Sequence, residues 1–249
     1  MINVVIPMAG DGSRFQNSKW KTLKPFIKWN NRTMIEYVMD NLNYKKSARF
    51  ILILRKEHYQ EYLGELELLQ KKYNVTFITI DNKTEGPLCS ILFARDLINN
   101  EEPLLIANSD QVADCSVDEF IDECLGRGLD GSLLTFYETE KSPRWSFVKT
   151  DDQGLVQEVK AKVPFSSQGV VGWYFYTKGR DFVDAAIDLI IHNDRANNEF
   201  FQCPTYNYSI RRGKRFGTFM IQEEQMHGTG TPEDLQKYLD FLGADHHGS

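Results

Sequence analysis

Apolar residues in this chain fall into two patterns. Short uninterrupted runs rich in β-branched residues recur at Val4-Val5-Ile6, Phe50-Ile-Leu-Ile-Leu54, Val75-Thr-Phe-Ile-Thr-Ile80 and Pro103-Leu-Leu-Ile-Ala107. Runs this short predict strands, and the continuous apolar run Phe50–Leu54 predicts burial on both faces. Between them the apolar spacing widens to three or four residues. Met34, Tyr37, Val38 and Leu42 follow that spacing after Thr33, and Glu36 stands where a capping box needs it, so a helix starts there. Glu57 to Tyr73 predicts a second, charged amphipathic helix, and the turn at Gly86-Pro87 leads into a third over Ile91–Ile98. Strand, helix, strand, helix, strand predicts a parallel sheet covered on both sides.

The second half keeps the alternation but adds a hairpin. Gly131 to Tyr137 predicts a strand. Trp145–Val148 and Leu155–Val159 flank Asp151-Asp152-Gln153-Gly154, a strong turn signal. A long aromatic strand, Gly169 to Tyr176, follows, then a helix over Asp181–Asn193 and another ending near Gly213. Arg215 to Ile221 predicts the last strand, and Pro232 opens the last helix at the position proline favours. Repeats, linkers and low-complexity stretches are absent, so one domain over 1–242 with a polar tail over 243–249 is expected.

Size and charge narrow the function. At 249 residues and 41% hydrophobic the chain can bury a substantial core. A formal net charge of −6 without a basic stripe argues against nucleic acid as the main partner. An anionic substrate must then be gripped by local cations. No apolar run approaches the ~18 to 20 residues that span a bilayer, and the N-terminal strand is unlike a signal segment, so no membrane insertion and a cytoplasmic location are expected. The four cysteines, Cys89, Cys115, Cys124 and Cys203, show neither C-x-x-C spacing nor partnering histidines, which predicts reduced thiols and no zinc site. The aromatic strand and the tail, with its His246-His247 pair, are the stretches available for an interface in a homo-oligomer.

The candidate chemistry starts where the first strand ends. Gly10 and Gly12 let the backbone turn tightly and approach a ligand, leaving N–H groups in a concave array that suits an anion. Arg14 adds a planar fork of donors for phosphate oxygens, and Lys24 a compact charge with Pro25 fixing the chain beyond it. The dinucleotide fingerprint fails because Phe15 occupies its third small position, and the Walker loop fails because Gly-Lys-Ser/Thr is missing. Ala9-Gly10-Asp11-Gly12-Ser13-Arg14-Phe15 with Lys24-Pro25 resembles the opening of the nucleotidyltransferases that activate sugar phosphates and related phosphate esters. Gly230-Thr231-Pro232-Glu233-Asp234-Leu235 is a second likeness to that family.

The resemblance implies an α/β fold: a three-layer α/β/α sandwich around a mainly parallel, Rossmann-like sheet of the GT-A type. It implies nucleotide binding by Ala9, Gly10, Asp11, Gly12 and Ser13, with Gly86 and Pro87 over the base and Ser109 at the end of a central strand. Asp110, also at a strand's carboxyl end, offers a hard oxygen ligand for Mg²⁺. For the acceptor, the likeness points to a lysine, Lys160 or Lys162, to Gly172, and to Glu199. Many members carry a second metal-binding aspartate two residues before the glycine of G-T-P, where this chain has Gly228; either a lone carboxylate with phosphates and water holds the Mg²⁺, or another acid such as Glu199, Glu223 or Glu224 stands in.

The implied reaction moves a nucleoside monophosphate from an NTP to a phosphorylated small-molecule acceptor and releases pyrophosphate. Arg14 would balance charge on the leaving group and Lys24 would act at the α-phosphate. The two motifs most resemble a short-chain branch among capsule and cell-surface polysaccharide enzymes, which includes cytidylyltransferases acting on compounds such as phosphoglutamine; CTP is therefore the favoured nucleotide. A glycosyltransferase using an NDP-sugar usually needs D-x-D, and Asn108-Ser109-Asp110 supplies one acid of the two. A non-catalytic nucleotide sensor is the third alternative.

Overall fold

The computed structural model describes residues 1–15, 18–20 and 22–245; the His246-His247 pair and the rest of the tail lie outside the described residues. Nine strands form one mixed sheet. In chain order they are β1 (Ile2–Pro7), β2 (Ala48–Arg55), β3 (Val75–Ile80), β4 (Leu104–Ala107), β5 (Gly131–Tyr137), β6 (Ser146–Thr150), β7 (Val156–Ala161), β8 (Gln168–Tyr176) and β9 (Phe216–Ile221). Their spatial order is β7-β6-β8-β4-β1-β2-β3, with β5 also paired to β8 and β9 to β5. The pairs β1–β2, β2–β3, β1–β4 and β5–β9 are parallel, and β8 runs antiparallel to β4 and to β5.

The central apolar runs are buried on both faces, whereas Val75–Ile80, at the sheet edge, is at most half-buried apart from Ile80. Ile2, Val4 and Ile6 enter one core and Val5 the other; Phe50, Leu52 and Leu54 share the first core while Ile51 and Ile53 share the second. The aromatic strand behaves the same way. Val171, Trp173 and Phe175 pack into one layer, and Tyr174 and Tyr176 into the other. Its side chains are spent on the interior, so this strand is not the exposed interface that its composition suggested.

The capping box forms: the Thr33 N–H donates to Glu36 Oε2 at 2.8 Å, opening helix Met34–Asn41. The stretch expected as one helix over Glu57–Tyr73 is instead two, Lys56–Glu61 and Leu63–Lys72, broken at Tyr62. The Tyr62 ring stacks on Phe26 with centroids 4.1 Å apart, and its hydroxyl accepts from the Leu23 N–H at 3.1 Å. Helix continuity is given up to fix the segment that carries Lys24. The stretch after Gly86 is likewise broken into the short helices Pro87–Ile91 and Arg95–Ile98, with a 3-10 turn between them. The final helix, Pro232–Asp245, extends three residues into the stretch expected as tail. No helix among the described residues is long and apolar enough to cross a membrane.

After β1 the chain builds outward through β2 and β3, then returns to place β4 on the other side of β1. Such a reversal opens a crevice at the strands' carboxyl ends. The Gly10–Gly12 loop leaves β1 there, and Asn108-Ser109-Asp110 leaves β4 beside it.

Candidate active site

Two cavities share that crevice. The first, about 220 Å³, is lined by Gly10, Gly12, Lys24, Gly86, Ser109 and Glu199, with Ala9 and Pro87. The second, about 180 Å³, is lined by Arg14, Asp110, Arg144, Lys162, Gln202 and Asp234. Gly12 has φ +60°, the left-handed turn expected of the loop. Ser13 and Arg14 lie in a 3-10 turn behind it, and Arg14 faces the second cavity. The Asp11 carboxylate is taken up by Arg55 at 3.1 Å and Lys83 at 3.2 Å, outside the lining of either cavity. These contacts let Asp11 anchor the loop from behind.

The wall opposite the loop is built by close backbone approach. Gly86 has φ +133°, and a Cβ there would stand 2.4 Å from the Phe200 carbonyl oxygen. That approach lets the Phe200 N–H donate to the Glu85 oxygen at 2.8 Å and the Leu88 N–H to the Phe200 oxygen at 3.1 Å. Arg195 covers the Phe200 ring at 3.8 Å from its centroid and pairs with Glu85. Glu199 is delivered by a tight turn: Asn197 and Asn198 have φ of 50° and 63°, and Ala196 and Glu199 exchange both backbone hydrogen bonds. Asparagine tolerates that conformation well, as two-residue primed turns require. Glu199, the acid that the resemblance assigns to the acceptor, thus lines the first cavity and not the second.

Lys24 Nζ donates to Asp110 Oδ2 at 2.6 Å, joining the two cavities. Burial by itself would raise the Asp110 carboxyl, but Lys24, with help from Arg14 and Lys162, holds it below the ordinary carboxylate value. Asp110 is therefore ionised at neutral pH. The Thr229 N–H donates to the Asp110 carbonyl at 2.8 Å, and a Cβ on Gly230 would lie 3.1 Å from Asp110 Oδ2, so this turn packs directly on the acid.

The geometry separates the two lysine candidates. Lys160 pairs with Glu158 at 3.1 Å and lies over the Phe165 ring, lining neither cavity. Lys162 has φ +60°, which ends the hairpin strand and turns the residue into the second cavity, where its ammonium donates to the Arg144 carbonyl. Burial lowers the Lys162 pKa, and Arg14 pushes it the same way. Gly172 lines neither cavity and contributes by its missing side chain: at φ +95°, a Cβ would stand 1.9 Å from Gln111 Oε1 and 2.5 Å from Asn108 Nδ2. Burial pushes the Cys203 thiol, hydrogen-bonded to Ser146, up to about 12, which makes it a packing group.

Several site residues were not singled out by the sequence. Gln202 and Arg144 carry no motif, Asn108 enters only through the incomplete D-x-D, and Asp234 stands in the Gly230–Leu235 phrase with no role of its own assigned. Glu223 and Glu224 are exposed and line neither cavity. The carboxylate nearest the position of the missing aspartate is Asp234, whose Oδ2 is 4.0 Å from where a Gly228 Cβ would stand. Among the described residues no three His, Cys, Asp or Glu side chains cluster as a metal cage.

The crevice at the sheet switch point thus holds a glycine loop and two adjoining cavities, with Lys24 and Asp110 at their seam. The chain belongs to the nucleotidyl transferase family, whose model matches residues 3–245. It is 25% identical over 158 residues to the catalytic subunit beta of mannose-1-phosphate guanylyltransferase from Dictyostelium discoideum, covering 62% of this chain and 43% of that relative's length. Its fold is similar to that of a nucleoside-diphosphate-sugar pyrophosphorylase from Vibrio cholerae RC9, with TM-score 0.82 and 21% identity over 95% of this chain and 99% of the other. A UDP-glucose pyrophosphorylase in complex with UDP-glucose shares the fold at TM-score 0.78 and 16% identity, over 98% of this chain and all of the other.

Proposed function

We propose that this protein transfers a nucleoside monophosphate, with CTP as the favoured donor, to a small phosphorylated acceptor, in the cytoplasm and in the service of capsular or cell-surface polysaccharide synthesis. The observation that carries this reading is the Lys24–Asp110 seam between the two cavities. In it the first cavity takes the nucleoside, with Gly86 and Pro87 over the base. The backbone at Gly10 and Gly12 and the Arg14 guanidinium grip the triphosphate, and Lys162 holds the acceptor phosphate. CTP is favoured by the likeness of both motifs to the short-chain branch.

The acceptor phosphate oxygen attacks the α-phosphorus, a new P–O–P bond forms, and the bond to the β-phosphate oxygen breaks to release pyrophosphate. The acceptor is already ionised at neutral pH, so no general base is needed. Positioning and charge neutralisation supply the acceleration. Lys24 acts where charge builds on the α-phosphate, and Arg14 where it builds on the leaving group. The donor set at the seam suits Mg²⁺, which takes hard oxygens and is commonly held by one or two carboxylates plus phosphates. Asp110 would hold it, with Asp234 standing in for the acid absent at Gly228. When bound, it would offset charge on the bridging phosphates.

Thermal melting with ATP, CTP, GTP and UTP, each with and without Mg²⁺, tests the reading. Ligand at ~100 times its Kd stabilises by about 2.7 kcal/mol, a rise of roughly 5 to 10 °C for a chain of this size. CTP should give the largest shift. A larger shift with another nucleotide would replace CTP, and no shift with any would overturn the reading.

A further inference from the structure

Gln202 is only 4% exposed, and its Oε1 has no hydrogen-bond partner. An unsatisfied buried carbonyl costs ~1–3 kcal/mol, and a purely packing role at this position would be served better by an apolar side chain. The other end of the same amide is committed. Gln202 Nε2 donates to Asn108 Oδ1 at 3.2 Å, and Asn108 Nδ2 donates to Gln111 Oε1 at 2.8 Å. Gly172 leaves the room for this relay, since a Cβ there would collide with both Gln111 and Asn108. In this arrangement the relay uses the Gln202 amide nitrogen and leaves its oxygen without a partner. That end is an acceptor only.

Gln202 lines the second cavity together with Lys162. The Lys162 ammonium lies 5.6 Å from the centroid of the Phe201 ring, the residue next to Gln202 in the chain. Both side chains line one cavity of about 180 Å³, so a molecule that fills it with its phosphate at Lys162 also lies against Gln202. We propose that the Gln202 carbonyl accepts a hydrogen bond from a hydroxyl or amide N–H carried by the acceptor a few bonds from its phosphate, which makes Gln202 a specificity-determining residue for the acceptor. The inference rests on reading the second cavity as the acceptor site. It excludes bare alkyl phosphates as good substrates and requires a donor-bearing phosphate ester.

Three phosphate esters test it on the full chain by calorimetric titration: ethyl phosphate, 2-hydroxyethyl phosphate, and 2-methoxyethyl phosphate, which has the oxygen but no donor. Wild type should bind the hydroxyethyl ester about tenfold more tightly than the methoxyethyl ester, the worth of one hydrogen bond to a buried group. Gln202→Met should bring that ratio to about one with only a small change in the Tm of the ligand-free protein, because it removes an unsatisfied carbonyl but also the hydrogen bond to Asn108. Gln202→Leu serves as a second variant should Met fold poorly. Equal binding of the two esters by wild type, the result expected if water alone satisfies the carbonyl, would overturn the proposal. So would discrimination that survives in the variants. Failure of all three esters to bind would overturn the acceptor reading itself, a result distinct from equal binding.

Discussion

Lys24 and Asp110, 86 positions apart in the chain, meet at 2.6 Å, and each lines a different cavity. The pair is held from both sides. Tyr62 secures the backbone beside Lys24, and the Thr229–Gly230 turn packs on Asp110. Both charges are partly buried, with side-chain exposures of 16% and 27%, so desolvation offsets much of their attraction and the contact mainly sets position.

Lys24→Met and Asp110→Asn should each lower kcat/KM by ~10²-fold or more, comparable to losing one preorganised electrostatic donor. Because the two act as a unit, the double variant should lose far less than the product of the single losses. Pyrophosphate release in a coupled assay reads both effects, and near-normal turnover in either single variant would remove that residue from the mechanism.

Lys162 is charged in a place that burial and Arg14 make unfavourable for charge. Its folded pKa is lowered, so the ligand-free protein gains stability as pH rises toward lysine's ordinary value. Lys162→Met should leave the Tm unchanged or higher while raising the acceptor KM about tenfold or more, the scale of one lost charge-assisted hydrogen bond. A lowered Tm with unchanged KM would assign Lys162 to structure alone.

Gly86→Ala meets two obstacles at once, a φ of +133° and a Phe200 carbonyl 2.4 Å from the new Cβ. Strain of this kind costs ~1–3 kcal/mol, which lowers the Tm by roughly 2 to 10 °C in a chain of this size. Nucleotide affinity should fall with it, since the same backbone forms the wall of the first cavity. Calorimetric melting and nucleotide titration of one preparation check both.

His58 is 5% exposed, with Nε2 2.8 Å from an Arg55 nitrogen. Burial, then Arg55, lowers its pKa, against smaller opposing effects from Glu57, Glu61 and Asp11. The unfolded chain therefore binds the proton more readily, and stability should fall as pH drops below about 6.5. Arg55 also grips Asp11, so acid should loosen the glycine loop as well. Melting from pH 8 to 5 should show the decline, and His58→Gln should flatten it.

Asp234→Asn should weaken Mn²⁺ binding in the presence of nucleotide about tenfold or more, read by electron paramagnetic resonance without any turnover. Adding Gly228→Asp to that variant should restore affinity, because a Cβ there has room, with the residue 234 side chain 4.0 Å away. Unchanged Mn²⁺ affinity in Asp234→Asn would remove it as a ligand.

The strands and their two-sided burial were legible in the sequence because the signal is local. A continuous run such as Phe50–Leu54 has no polar side to turn toward water, so it must be covered on both faces. The glycine turn, the Thr33–Glu36 cap and the Asp151–Gly154 hairpin were legible for the same reason, since each depends on residues within a few positions. Tertiary structure alone decided the rest. Tyr62 breaks a helix that periodicity would continue, because its ring and hydroxyl satisfy partners about 40 positions earlier. Lys162, and not Lys160, reaches the second cavity because a left-handed residue ends the strand there. Glu199 falls in the first cavity, and Gln202 and Asp234 join the second, through contacts between segments that lie far apart in sequence. Periodicity reports which face of an element is covered, whereas a site is made by which elements meet.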